Sequence, residues 1–289
     1  MTETQSLPEC LASGFAQAMA THSPLSAVLA EAAGFEALWL SGFEVSALYG
    51  LADVSLLTMS EHLALLRAIS ARCTIPIIAD IDTGYGNAVN VDYAVRSYER
   101  AGAAAVVIED KTFPKVTSLI DDGRQELLRR EEFAGKIEAA CSARQSEAFV
   151  IIARTEALIA GLGQAEALDR ARAYCEAGAD MVFVHSKQRT PDEIEAFIAA
   201  WDGRRPLVLA PTAYPEMTAE RMRQSGKVGL AIWANHAIRS SVAAMRTTFE
   251  RIRADGGLLG VEQDIASVNE IFALQNMDTV KAVEKRFLR

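Results

Sequence analysis

Apolar and polar positions in this chain alternate between two periods. Short continuous apolar runs of strand length are each followed by a stretch with the 3.6-residue period of an amphipathic helix. The pattern predicts strands over residues 14–20, 37–40, 76–81, 106–108, 149–153, 181–184, 206–210 and 228–233. Helices are expected over 22–34, 60–72, 91–100, 131–144, 164–177, 191–201 and 218–225, then a long helix over 237–253 and a last helical segment over 262–288. Gly34, Gly102 and Gly178 read as helix stops, and Thr190 before Pro191 reads as an N-cap with proline at the first helical position. Residues 45–58, which include Asp53, read as irregular.

Strands that each lead into a helix imply parallel pairing through right-handed crossovers. Eight such units predict an α/β fold, a (β/α)8 TIM-type barrel. The rival is an open doubly wound sheet, but no G-x-G-x-x-G follows the first strand, and Gly84-Tyr85-Gly86 is a lone G-x-G. No linker or repeat divides the chain, so one domain is expected over 1–289. Residues 237–289 would form extra C-terminal helices that pack on a partner subunit, which predicts a homo-oligomer.

The stretch 76–118 carries the first chemical signal. Its opening strand ends in Asp80 and Asp82, and an i, i+2 spacing on a strand places both carboxylates on one side. The next strand ends in Glu109 and Asp110, and in a βαβ unit these ends converge. Clustered carboxylates repel unless a cation lies between them, and a hard cation takes oxygen ligands, so a Mg²⁺ or Mn²⁺ site is one reading. Solvated loop acids or helix caps are the other.

The remaining strand ends add polar groups where a barrel places its active site: Ser41 and Gly42, Arg154, His185, Thr212 and Asn235. Each has a plain alternative. Asp53 could be a surface acid, Arg154 could pair internally with Glu156 or Glu109, and His185 could be a satisfied edge histidine. Taken together they suit a metal-bound anion, because arginine offers a planar fork to carboxylate or phosphate oxygens. Ser41-Gly42 could bring backbone N–H groups close to a substrate oxygen. The polar loop 111–118, with Lys111, Lys115, Thr117 and Ser118, begins at the same place and reads either as a closing lid or as a solvated loop.

Composition narrows the classes. Of 289 residues, 50% are hydrophobic and the net charge is −9, which gives ample core and disfavours a nucleic-acid surface. No apolar run approaches the ~18 residues of a membrane span. The first residues, MTETQSLPEC, show no secretory pattern, and Cys10, Cys73, Cys141 and Cys175 are widely spaced, so a cytoplasmic protein with reduced thiols is expected.

The residues also resemble the phosphoenolpyruvate mutase and isocitrate lyase superfamily along nearly the whole chain. The marks are Trp39-x-Ser41-Gly42, Asp80-Ile81-Asp82-Thr83-Gly84-Tyr85-Gly86-Asn87, Glu109-Asp110-Lys111, Phe113-Pro114-Lys115, Ile152-Ala153-Arg154 and Trp233-x-Asn235-His236. The lyases of that superfamily carry K-K-C-G-H in the lid, and this lid has no cysteine, so its K-x-F-P-K resembles the carbon–phosphorus branch. Within that branch the resemblance is nearest to the members that hydrolyse phosphonopyruvate. It rests on Thr117-Ser118, where the mutases have asparagine at the first position, and on the motifs at 122–127, 157–163 and 211–215. Leu40 and Thr155 depart from the pattern, standing where relatives often have a small residue and valine.

The resemblance implies metal-dependent hydrolysis of the C–P bond of phosphonopyruvate to pyruvate and phosphate, in phosphonate catabolism. The cofactor would be Mg²⁺, with Mn²⁺ or Co²⁺ as substitutes. It implies Asp80 as the direct metal ligand, with Asp53, Asp82 and Glu109 holding the metal's waters. Trp39, Ser41 and Gly42 would hold the pyruvate part, and Arg154 and His185 the phosphoryl group. Lys115, Thr117 and Ser118 would close over it, with Thr117, Arg154, His185 and Lys115 catalytic. A homotetramer of helix-swapped dimers is also implied. The alternatives are the mutase reaction, a lyase acting on a related 2-oxo or 2-hydroxy acid, and a barrel that binds without turnover.

Overall fold

The computed structural model describes residues 6–120, 123 and 125–289; Asp122 and Arg124 of the 122–127 motif lie outside the described residues. The chain divides into two compact units, Met1–Ala237 and Ile238–Arg289.

In the first unit the strands close in sequence order into an eight-stranded barrel, β1 pairing with both β2 and β8 and every pair parallel. The strands are β1 (Ala16–Thr21), β2 (Ala37–Leu40), β3 (Ile77–Asp80), β4 (Ala105–Glu109), β5 (Val150–Thr155), β6 (Met181–Val184), β7 (Leu207–Leu209) and β8 (Val228–Trp233). Between them run α2 (Pro24–Ala32), α3 (Gly42–Leu48), α4 (Met59–Ser70), α5 (Ala88–Arg100), α6 (Arg130–Ala143), α7 (Gly163–Glu176), α8 (Asp192–Ala200) and α9 (Ala219–Gln224). Strands buried on both faces read as unbroken apolar runs, which is why the sequence displays them so plainly. Alternate side chains fill the inside: Ala16, Ala18 and Ala20 of β1 face Ile78, Val107, Ile152, Phe183 and Leu230. The others, such as Leu38, Ile77, Val106 and Ile151, pack outward against Leu66, Val95, Tyr98 and Ile137 of the surrounding helices.

Several expectations are corrected. A short helix α1 (Leu7–Leu11) precedes β1, built on a Ser6/Glu9 capping box with Pro8 in its first turn, and its Leu7 and Cys10 join the interior cluster. Residues 42–48 are helical, not irregular: Ser41 caps α3 by accepting the Glu44 N–H at 3.2 Å. The helix expected from residue 60 starts earlier: Thr58 caps α4, and Glu61 completes a capping box with it. Pro191 itself holds the N-cap position of α8, and Thr190 instead donates to Asp192.

In the second unit, which carries most of α10 (His236–Asp255), the last helical segment is two helices, α11 (Val268–Leu274) and α12 (Met277–Phe287). They are separated at Asn276, whose left-handed backbone (φ 56°) breaks the helical run. Phe249, Phe272, Val283 and Phe287 are exposed there.

One buried chain of hydrogen bonds ties the helical layer to the loop after β3. Tyr85, at φ 62°, stacks on Tyr98 of α5 and meets its hydroxyl at 2.7 Å; Tyr98 in turn meets His62 Nδ1 of α4 at 2.7 Å. Burial first, and the nearby Lys115 charge second, push His62 down from 6.5 to about 4. Because the folded state resists the proton, the unfolded chain binds it first as pH drops below about 6.5, and stability falls until about pH 4. Between pH 7 and pH 5 this single group is expected to cost about 2 kcal/mol. Urea denaturation of the parent and of His62→Gln at both pH values checks this: the variant should lose that part of the pH dependence, and an equal slope in both proteins contradicts it.

Candidate active site

The carboxyl ends of the strands surround a cavity that is open to solvent. Trp39, Ser41, Asp53, Asp80, Lys115, Thr117, Ser118, Arg154, His185, Thr212 and Asn235, all singled out from the sequence, line it. Phe43, Leu119 and Phe183 line it as well and were not singled out. Trp39 and Phe183 meet edge to face at 6.2 Å on its floor, and the Arg154 guanidinium lies 4.9 Å over the Phe183 ring.

The acid cluster forms, though not as strand alternation predicts. β3 ends at Asp80, and Asp82 lies beyond it in a left-handed turn (φ 51°). That turn still brings both carboxylates to one point. A methyl group on Gly42 would lie 3.0 Å from Asp82 Oδ1 and 3.4 Å from Asp80 Oδ2, so a side chain there would push the two carboxylates aside by a few tenths of an ångström. Lys115 Nζ enters the cluster from the loop after β4, 2.6 Å from Asp82 and 3.0 Å from Asp53. The loop is fixed there by the Lys115 N–H donating to Ser55 Oγ at 3.1 Å.

Burial raises the Asp80 carboxyl above its ordinary range and takes Asp82 to about 7; Lys115 pulls both down, and the neighbouring acids push them up. Burial works against the Lys115 ammonium, but Asp82, Asp53, Glu109 and Asp80 together hold its pKa well above the usual value. Glu109 is buried and neither carboxylate oxygen has a hydrogen-bond partner among the described residues; Arg154 Nε lies 3.5 Å from it. Asp110 points the other way, accepting from Thr155, Tyr174 and Arg170 in the layer between β5 and α7.

Arg154 sits at the end of β5 in a second network. Its Nε donates to Glu156 Oε1 at 2.5 Å, and its Nη2 reaches Ser118 Oγ and His185 Nδ1, each at 3.0 Å. Lys111, almost fully buried, donates to Ser118 Oγ and to the Val116 carbonyl, each at 2.7 Å, and lies 3.2 Å from Glu156 Oε2. Glu156 follows Arg154 by two positions, the spacing that puts strand residues on one side, so its partnership was readable in the sequence as one of two alternatives. Burial works against the Glu156 charge, yet Arg154 and Lys111 hold its carboxyl well below the usual range. Burial and the Arg154 charge lower the pKa of His185, and the Glu156 carboxylate opposes them. Thr117 is held through its carbonyl, which accepts from Gln125 at 3.0 Å.

The backbone role anticipated at Ser41 is narrowed: its N–H already donates to the Thr21 carbonyl at 3.3 Å. Gly42 opens α3, where N–H groups have no intrahelical acceptor.

Five carboxylates (Asp53, Asp80, Asp82, Glu109 and Glu156) meet three fixed cations (Lys111, Lys115 and Arg154) in these networks, a deficit of two positive charges when all are ionised. Together with the partnerless oxygens of Glu109, this fits a divalent cation. Among the described residues no three His, Cys, Asp or Glu side chains converge tightly enough to coordinate one together. The donor set therefore suits an ion bound directly by few carboxylates and through its own waters by the rest, as Mg²⁺ prefers.

Comparison with known proteins places these residues in context. The family model for phosphoenolpyruvate phosphomutase matches residues 11–253. Phosphonopyruvate hydrolase of Variovorax sp. (strain Pal2) is 57% identical over 290 aligned residues, covering 100% of both chains. Phosphoenolpyruvate phosphomutase of Tetrahymena pyriformis is 44% identical, over 93% of this chain and 90% of that one. A crystal structure of phosphonopyruvate hydrolase in complex with oxalate and Mg²⁺ superposes with a TM-score of 0.94 at 55% identity, covering 100% of each chain.

Crowding the two aspartates should loosen the cation site. Gly42→Ala is expected to weaken Mg²⁺ binding roughly tenfold, as disturbed ligand orientation does elsewhere. Isothermal titration calorimetry measures it, with circular dichroism confirming the fold; unchanged affinity would show that Gly42 does not set the carboxylate positions.

Proposed function

The chain belongs to the phosphoenolpyruvate phosphomutase family, and on that premise we propose that it hydrolyses the C–P bond of phosphonopyruvate, giving pyruvate and phosphate. The observation that carries this reading is the pairing of a cation-binding end with an anion-gripping end in one cavity. The carboxylate cluster with its charge deficit lies beside Arg154, His185 and the hydroxyls of Thr117 and Ser118. The full-length relationship to the hydrolase supports the same reaction.

Breaking the bond leaves an electron pair on carbon, which delocalises into the adjacent carbonyl as an enolate. Asp80 would hold Mg²⁺ directly, with Asp53, Asp82 and Glu109 holding its waters. Bound there, the cation supplies the Lewis acid that stabilises the enolate oxygen. Gly42 N–H and Trp39 bound the pyruvate end. Arg154 presents its guanidinium to the phosphoryl oxygens, kept in place by Glu156, and His185 adds a second contact. Lys115 closes the loop onto the acids and screens them from a trianionic substrate. The transferring group has metaphosphate character, so alignment of an incoming water matters more than a strong base. The Thr117 hydroxyl is the group on the lid placed to align that water, where an asparagine amide would hold the phosphoryl group instead.

The same reading includes a cytoplasmic enzyme of phosphonate breakdown that assembles as a homotetramer of helix-swapped dimers. The apolar side chains exposed on the second unit support assembly, and no described helix is long and apolar enough to cross a membrane. The mutase reaction is the second reading, favoured by the 44% identical phosphomutase.

Phosphorus NMR of phosphonopyruvate incubated with the enzyme and Mg²⁺ separates the two. Inorganic phosphate as the product supports hydrolysis, and phosphoenolpyruvate in its place establishes the mutase. Thr117→Asn is expected to lower phosphate release by about 100-fold. A variant as fast as the parent removes Thr117 from the water-aligning role.

A further inference from the structure

The donors of Lys111, Ser118 and the Nε–Nη2 edge of Arg154 can be assigned one by one, and the count reaches a proton that the reaction depends on. Lys111 has three N–H donors and three acceptors in range: the Val116 carbonyl, Ser118 Oγ and Glu156 Oε2. Ser118 gives its single proton to Glu156 Oε2 at 2.6 Å and accepts from Lys111 and from Arg154 Nη2. Arg154 Nη2 has two hydrogens: one goes to Ser118 Oγ and the other points at His185 Nδ1, 3.0 Å away. A guanidinium cannot accept, so Nδ1 must present a lone pair to it. Glu156 Oε1 also lies 3.3 Å from Nδ1 and would favour a proton there. That contact is the longer of the two, 3.3 Å against 3.0 Å.

We infer that His185 is held as the neutral tautomer with its proton on Nε2, and that Glu156 is the positioning residue that enforces it by fixing Arg154. The Nδ1 edge faces the network, so the Nε2 edge is the one left for the cavity that His185 lines. For the reaction this rests on the phosphonopyruvate reading above. His185 then donates an N–H to a phosphoryl oxygen and has no lone pair on that side to take a proton from water. It binds the transferring group and is not the hydrolytic base. The lowered pKa of His185 agrees with an uncharged ring.

The test is ¹⁵N NMR of histidine-labelled enzyme with Mg²⁺ at neutral pH. The chain has four histidines, and His185→Gln identifies the signal. The parent should show a protonated Nε2 and an unprotonated Nδ1; the reverse pattern, or an imidazolium, overturns the assignment. In Glu156→Gln Arg154 loses the charged anchor that holds Nη2 on Nδ1, so the Nε2–H fraction should fall, and kcat for phosphate release should fall on the order of 100-fold. An unchanged tautomer in that variant, whatever its rate, removes Glu156 from this role, and if the variant does not fold the parent spectrum still decides. An Nε2–H tautomer in a parent that releases no phosphate leaves the proton assignment standing and removes the hydrolase reading.

Discussion

Uncompensated negative charge at the rim of a closed barrel is the constraint on which the rest of the site depends. Asp80, Asp82 and Glu109 are brought together by β3, β4 and the turn between them, and burial there raises the carboxyls of the two aspartates. Lys115 answers part of that charge from the loop after β4, and Arg154 lies near enough to Glu109 to answer a little more. What is left matches a divalent ion. The same shortage that makes the clustered carboxylates costly makes them selective for a small, hard cation that keeps its waters.

The second network is built on the opposite principle. Around Glu156 one carboxylate is shared by two cations, Lys111 and Arg154, and hydrogen bonds tie in Ser118 and His185, so these side chains are held in one arrangement. A hydrogen-bonded buried network is rigid, and rigidity is what a phosphoryl-binding fork requires. The loop 111–118 serves both ends: Lys111 and Ser118 anchor it in the Glu156 network, and Lys115 carries it to the acid cluster. A cavity with one cation-binding end and one anion-gripping end orients a substrate that is carbonyl at one end and phosphonate at the other.

Much of this was legible in the sequence. Strands buried on both faces are continuous apolar runs, so β2, β6 and β8 could be read to the residue, and the barrel followed from their alternation with helices. Polar residues that interrupt such runs at their ends marked the rim. The failures have physical causes. Gly42 is a poor helix former and hid α3, although Ser41 and Glu44 have capping-box spacing; Glu44 instead meets His22 Nδ1 at 2.7 Å. Asp82 was read as a strand residue because its i, i+2 spacing from Asp80 fits a strand, whereas β3 ends at Asp80 and the chain turns through a left-handed Asp82. Glu156 and Lys111 stood in plain view, but their value lies in a donor count that needs coordinates.

The claim that the rim's missing positive charge is a divalent ion, required for turnover, is tested most directly by metal titration of stripped enzyme. Enzyme freed of metal with a chelator, then dialysed, should release no phosphate from phosphonopyruvate. Activity should return in step with calorimetric binding of a single Mg²⁺ per chain. Full activity in rigorously metal-free buffer, or Mg²⁺ binding that leaves the rate unchanged, would contradict the account.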